Sequence, residues 1–252
     1  MKNKRNSTYT VVSIILFFVG FGLTIYPYIR GAIVDRGMEL EAEDFLVWVD
    51  YTANETSDPN SSLLQPTVPV VDGQREYAQL WEDMQAYNKA IHAEAQAGLS
   101  CETDYEVPSF ILADYGLEDE IFGVICIPTL GLEMPIYLGA TEQHMEDGAA
   151  HMSQTSLPIG GENTNTVLAG HRGWKGAAYF LHLPQLKIGD TVTITNLWEM
   201  LTYEVVETRI IDPYKVEAIH IQEGRELLTL LTCHPPATGG RERYLVFCER
   251  VR

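Results

Sequence analysis

Residues 227–247 read LLTLLTCHPPATGGRERYLVF. An apolar, β-favouring run ends on Cys233, a turn-rich stretch follows, and a second apolar run opens at Arg243. Short β-branched or aromatic runs bounded by Pro and Gly read as strands. The same texture recurs upstream in IFGVICIP (121–128), MPIYLG (134–139), NTVLAGH (165–171), DTVTITNL (190–197) and MLTYEVVETRII (200–211). ELLTLLTC (226–233) and RYLVFCERV (243–251) complete the set. Between them, TEQHMEDGAAHM (141–152) and GAAYFLHLPQL (176–186) read as brief helices. Many strands with few helices predict a mainly β protein closed or nearly closed into a barrel, which removes exposed edges.

Outside this region the texture differs. REYAQLWEDMQAYNKAIHAEAQAG (75–98) carries Tyr77, Leu80, Trp81, Met84, Tyr87 and Ile91 at helical spacing, with Gly98 as the expected C-cap. A stretch rich in Asn, Ser, Pro and Thr over residues 53–73 reads as a linker. The chain therefore divides into an N-terminal segment (1–32), a helical appendage with linker (33–116) and a β domain (117–252). Its 252 residues are 46% hydrophobic, enough for a sizeable core. A net charge of −18 opposes the basic face that a nucleic-acid binder needs, so nucleic acid is not an expected partner.

Val11–Ile29 contains 19 residues without a charge, about the length that spans a bilayer. Lys2, Lys4 and Arg5 precede it, against Arg30 and Arg36 after it, which places the short N-terminus in the cytoplasm and the bulk of the chain outside. The run is long for the apolar core of a cleaved signal peptide, and no small-x-small site follows, so a retained single-pass anchor is the expectation. Outside the membrane the four cysteines (Cys101, Cys126, Cys233, Cys248) could pair. Their spacings match neither a dense disulfide framework nor a CxxC metal pair. No metal is expected, and Cys126 with Cys248 is the candidate bridge.

A thiol where a strand gives way to a loop is placed to meet ligands. His171, in VLAGHRG (167–173), ends another strand in the same manner. A free thiol is only a few per cent thiolate at neutral pH, and a nearby imidazole can take its proton or hold the thiolate by charge. Acyl transfer then develops charge on a carbonyl oxygen, which a fixed guanidinium can stabilise. Arg243 fits that role, because a hairpin-like return brings it back toward Cys233. Arg241 is its rival, sharing side parity but lying nearer the Gly239-Gly240 turn. His234 is adjacent to the thiol, yet neighbouring residues of an extended chain face opposite sides, so it is a candidate pocket residue rather than a base. Thr232 is a second candidate substrate contact.

Taken together, TLLTC (229–233), VLAGHRG and RYLVFCERV resemble the cysteine, histidine and arginine motifs of sortases, in the expected order. IPTLGLEMPIYLGAT, GAAHMSQTSLPIGGENTNTVLAGHRG and LKIGDTVTITNLWEMLTYEVVETRIIDP resemble barrel segments of the class C, pilin-polymerising members. The likeness covers residues 117–252. It implies a sortase-type eight-stranded β-barrel, Cys233 as nucleophile, His171 as acid/base or ion-pair partner, and Arg243 as the group that steadies substrate and oxyanion. It further implies cleavage of an LPxTG-like signal between Thr and Gly on a secreted or pilin protein, through a thioester, without a cofactor. The amine that resolves the thioester is a pilin lysine in class C and a cell-wall precursor amine in anchoring sortases. An inert extracellular binding barrel is the reading from a different class. Class C members carry a lid with an Asp-Pro-aromatic motif; here Asp58-Pro59 is followed by Asn60, and the nearest substitute is YEVPSF (105–110). A lid over residues 101–116 would use Ser109 and Phe110, with Phe110 as the plug.

Overall fold

The computed structural model describes residues 2–55, 70–71, 74–75, 77–99, 105–237 and 240–251. A 54-residue helix α1 (Lys2–Glu55) comes first, and the two-residue strands β1 (Val70–Val71) and β2 (Gln74–Arg75) pair with each other. Helix α2 (Ala78–Ala93) follows. Then come β3 (Ile121–Ile127), β4 (Leu132–Leu138), a short α3 (Glu142–Asp147), β5 (Ala149–His151) and β6 (Thr164–Ala169). The hairpin β7 (Arg172–Trp174) and β8 (Ala177–Tyr179) precedes β9 (Thr191–Asn196), β10 (Met200–Ile211), β11 (Glu226–His234) and β12 (Glu242–Arg250).

Eight of these strands close into a barrel in the order β10-β12-β11-β6-β5-β4-β3-β9. The β11–β6 and β4–β5 pairs are parallel and the other neighbours antiparallel. Inward side chains such as Ile125, Ile136, Leu168, Ile194, Leu230 and Val246 fill the interior. On β3 the alternate residues Phe122 and Val124 face outward into a second apolar cluster with Trp198, Leu80, Met84 and Phe45. Burial on both faces explains why IFGVICI is apolar without alternation, whereas β9, with one wet face, alternates.

That second cluster is how the appendage attaches. Helix α2 buries Leu80, Met84 and Ile91, and its buried Asn88 donates to the Leu157 carbonyl (3.4 Å) and accepts from the Leu157 N–H (2.8 Å). The N-terminal helix runs without a break through the boundary expected at residue 32. Beyond it, Met38, Ala42, Phe45 and Val49 recur every three or four residues and are buried on the barrel, a helical stripe. Across the apolar N-terminal part the large side chains, Phe17, Leu23 and Ile29 among them, are exposed. The helix is thus long and apolar enough to cross a membrane.

Four local expectations need correcting. Residues 141–152 are helical only to Asp147; Gly148 then packs on the Pro135 carbonyl, and Ala149–His151 insert as β5 between β4 and β6. Residues 176–186 hold β8 and a 3-10 turn (Leu183–Gln185) rather than one helix. Lys175 and Gly176, both at positive φ (50° and 97°), form the two-residue hairpin turn, a conformation usually signalled by Asn-Gly. Finally, α2 ends at Ala93, with Ala95 and Gln96 left-handed, so Gly98 is not its cap. Cys126 and Cys248 are free thiols, not a bridge; Cys101 lies outside the described residues.

Candidate active site

The parallel pairing of β6 with β11 brings two strand ends to one rim of the barrel. The last paired residues are Ala169 and Leu231, and the Gly170 N–H continues the ladder to the Leu231 carbonyl (3.1 Å). His171 and Cys233 each lie two residues further on, which in a pleated ladder sets them level and on the same face. On the other side of β11, antiparallel β12 places Arg243 directly opposite Cys233. The imidazole, just past the end of β6, therefore comes to the same rim as the thiol on β11 and the guanidinium on β12.

All three line a cavity of about 510 Å³. Its walls include Met152, Ile219 and Leu231, and the remaining charged lining residues are Glu106, Glu142 and Lys215. Arg243 is held beside the thiol by its Nη1, which donates to the carbonyl of Gly240 (2.6 Å). Gly240 has φ +73°, and a Cβ there would lie 3.2 Å from the Cys233 Sγ and 2.9 Å from Arg243 Nη1. The left-handed backbone favours glycine here, and any Cβ would crowd the thiol and the guanidinium.

His171 is clamped by aromatic rings. Its imidazole stacks on Trp174 (centroids 4.9 Å apart, 23° between planes) and meets the edge of Tyr179 at 5.6 Å. Trp174 Nε1–H points at the Glu146 carboxylate (3.4 Å), the Tyr179 hydroxyl donates to the Glu146 carbonyl (2.7 Å), and Lys175 pairs with Glu146 at 2.5 Å. Burial pushes the His171 pKa down, Glu146 opposes that, and Lys175 reinforces it. Burial thus favours the uncharged imidazole, the form that can accept a proton.

The other expected residues are used differently. Thr232 borders the cavity, but it is only 1% exposed and its hydroxyl donates to the Gly170 carbonyl (2.8 Å), fixing the His171 strand to the Cys233 strand. His234 does not line the cavity. It faces the opposite side, where its Nδ1 accepts from Arg172 Nη1 (2.7 Å) and its ring lies near Tyr244 (6.0 Å). Arg172 Nη1 also donates to the Cys233 carbonyl (3.2 Å), so one guanidinium ties the histidine loop to the cysteine strand. Phe110 does not plug the site: it packs on Tyr87 (5.8 Å) and Tyr115 (6.2 Å), while the Ser109 hydroxyl donates to Tyr87 (3.0 Å). Tyr105 and Glu106 line the cavity instead, and residues 101–104 of the expected lid lie outside the described residues.

Trp174, Tyr179 and Arg172 were not singled out by the sequence. For Arg172 a signal existed, since a residue one step past His171 must face the side that His234 occupies.

Comparison with known proteins decides the family. The model of the sortase domain matches residues 125–251, half of the chain. The chain belongs to the sortase family. It is 32% identical over 131 residues to Sortase D of Bacillus subtilis and 32% identical over 133 residues to Sortase A of Streptococcus agalactiae. Each match covers 51% of this chain, and they span 63% and 52% of those relatives. Among solved structures, Sortase C1 of GBS Pilus Island 1 superposes with a TM-score of 0.63 at 32% identity, covering 70% of this sortase and 89% of that chain. Sortase C-1 of Streptococcus pneumoniae gives 0.61 at 30% identity, covering 70% and 90%. The closed eight-stranded barrel is thus the sortase fold, with class C likeness.

Proposed function

We propose that this sortase is a membrane-anchored cysteine transpeptidase acting on LPxTG-like sorting signals, and that its acceptor is a pilin lysine. The observation that carries the reading is the meeting of His171, Cys233 and Arg243 on the wall of one cavity. His171 takes the thiol proton and the Cys233 sulfur attacks the Thr carbonyl. The oxyanion of the tetrahedral adduct sits against the Arg243 guanidinium, a contact worth about 3 kcal/mol by analogy with a lost oxyanion donor. The adduct collapses as His171 protonates the departing Gly nitrogen, leaving a thioester. An acceptor amine then attacks, gives its proton to His171, and the returning thiol recovers it. The apolar wall of Met152, Ile219 and Leu231 takes the leucine and proline of the signal.

In this reading residues 1–32 anchor the chain with the N-terminus in the cytoplasm, 33–116 form an extracellular appendage, and 117–252 are the catalytic domain. The pilin acceptor is supported by the class C likeness of the structural neighbours, one of them named for a pilus island. A second reading, implied by the likeness to sortases in general, makes a cell-wall precursor amine the acceptor. Competition decides between them: the full chain in detergent, given a sorting peptide, should transfer it to a lysine-bearing pilin segment in preference to a wall-precursor peptide. The opposite preference would overturn the pilin assignment. Cleavage by Cys233→Ala at the parent rate would overturn the mechanism.

A further inference from the structure

We infer that the anchor helix positions the catalytic histidine: Gly31 of α1 seats on Gly176 of the β7–β8 turn, and this contact holds the aromatic clamp on His171. The inference rests on the proposed acid/base role of His171.

Among the described residues the hairpin β7–β8 pairs only with itself and belongs to no larger sheet. Yet it carries Trp174 and Tyr179, which grip the His171 ring, and Arg172, which grips the Cys233 carbonyl. A two-stranded ribbon is marginal without support from something else. Glu146 and the barrel core hold its Trp174, Ala177 and Tyr179 side chains, and its turn is supported by α1. Gly31 is buried on an otherwise exposed stretch of helix, and a Cβ placed on it would run into the backbone carbonyl of Gly176. A Cβ on Gly176 would in turn run into the carbonyl of Pro27. Two glycines thus let a helix and a hairpin turn meet backbone to backbone. One helical turn later, on the same face, the Asp35 carboxylate accepts a hydrogen bond from the Ala178 N–H (2.9 Å). The remaining described glycines of α1 are unlike Gly31: Gly20, Gly22 and Gly37 have open space where a Cβ would go.

The helix is continuous from Val11–Ile29 to this contact, and Gly31 lies two residues beyond the end of the apolar stretch. The His171 edge of the cleft is therefore fixed directly to the membrane-proximal turn of the anchor. A domain cut free below residue 32 would keep the barrel but lose the seat of the hairpin, and the imidazole would sit in a looser, wetter clamp.

The test uses the full chain in nanodiscs. Gly31→Leu should lower kcat about ten- to a hundredfold, the loss expected for a misplaced catalytic group, with KM within about twofold. Gly37→Leu, on the same helix but in open space, should match the parent. Titration of His171 by carbon-13 NMR, in a Cys233→Ala background without substrate, reads the clamp apart from activity. With Glu146 and Lys175 as the charged groups beside the ring, loosening the clamp in Gly31→Leu should raise its pKa toward the ordinary imidazole value. If Gly31→Leu inserts poorly, Asp35→Ala, which removes the hydrogen bond to Ala178 together with a carboxylate near Tyr179, should move the same titration in the same direction. An unchanged His171 titration in the folded Gly31→Leu or Asp35→Ala protein would overturn the inference. A shifted titration in a protein whose Cys233 proved dispensable would instead sink the proposed function and leave the clamp standing.

Discussion

Thr232→Val removes one oxygen and tests the join between the two catalytic strands. The hydroxyl donates to the Gly170 carbonyl at 2.8 Å, and the residue is 1% exposed, so no water can replace it. Valine reproduces the shape and leaves a buried carbonyl without its donor, at a cost of about 1–3 kcal/mol. In a protein of this size each kcal/mol moves the melting temperature about 2–4 °C, so the variant should melt about 2–12 °C lower. Gly170 directly precedes His171, so the loss also frees the imidazole to drift from the thiol. A displacement near 1 Å would lower kcat about a hundredfold, and a partial one about tenfold. The assay pairs a melt at fixed scan rate with steady-state cleavage of a sorting peptide, and adds the double variant with His171→Ala. Thr232→Val should contribute nothing to kcat once the imidazole is gone. A variant melting within 1 °C of the parent with unchanged kcat would refute the reasoning. So would one whose kcat loss survives in the double variant, which would make Thr232 a substrate contact.

Arg243→Ala should lower kcat about a hundred- to a thousandfold with little change in melting temperature, since among the described residues its guanidinium donates only to the neighbouring carbonyls of Gly240 and Glu242. The acid limb of the kcat/KM profile should follow His171: Glu146→Gln removes a group that raises its pKa and should move the limb to lower pH. Lys175→Met removes one that lowers it and should move the limb up. Phe110→Ala should cost about 1–3 kcal/mol of stability through lost contacts with Tyr87 and Tyr115, with no gain in cleavage rate; a plug would give the reverse. Cys126→Ser should leave stability and non-reducing mobility unchanged, because its thiol is free.

Much of this was legible in the sequence, for identifiable reasons. The seven longer barrel strands each carry enough β-branched or aromatic residues to declare themselves, and the turns between them are rich in Gly, Pro and Asn. The eighth, Ala149–His151, is three residues long and made of small side chains, so its character comes from its neighbours β4 and β6 rather than from its own residues. The hairpin 172–179 was hidden because Lys175-Gly176 is an uncommon turn pair and GAAYF has the composition of a helix. Bringing His171 level with Cys233 needs the parallel register of β6 and β11, and register across 62 residues of chain (231 − 169) is a tertiary fact. Phe110 was misplaced for a similar reason: an aromatic near a cleft in sequence went instead to the apolar surface that α2 offers. MELEAEDFLVWV (38–49) reads as helical, but neither its continuity with the anchor nor its docking stripe is legible, because Met38, Ala42, Phe45 and Val49 sit among acids that face water.

Intact-mass analysis of the full chain after brief exposure to an LPxTG-like peptide goes most directly to the central claim. The account predicts one adduct, equal to the peptide up to and including threonine, mapped to Cys233, released by hydroxylamine and missing from Cys233→Ala. An adduct on Cys126 or Cys248, or continued cleavage by Cys233→Ala, would contradict it.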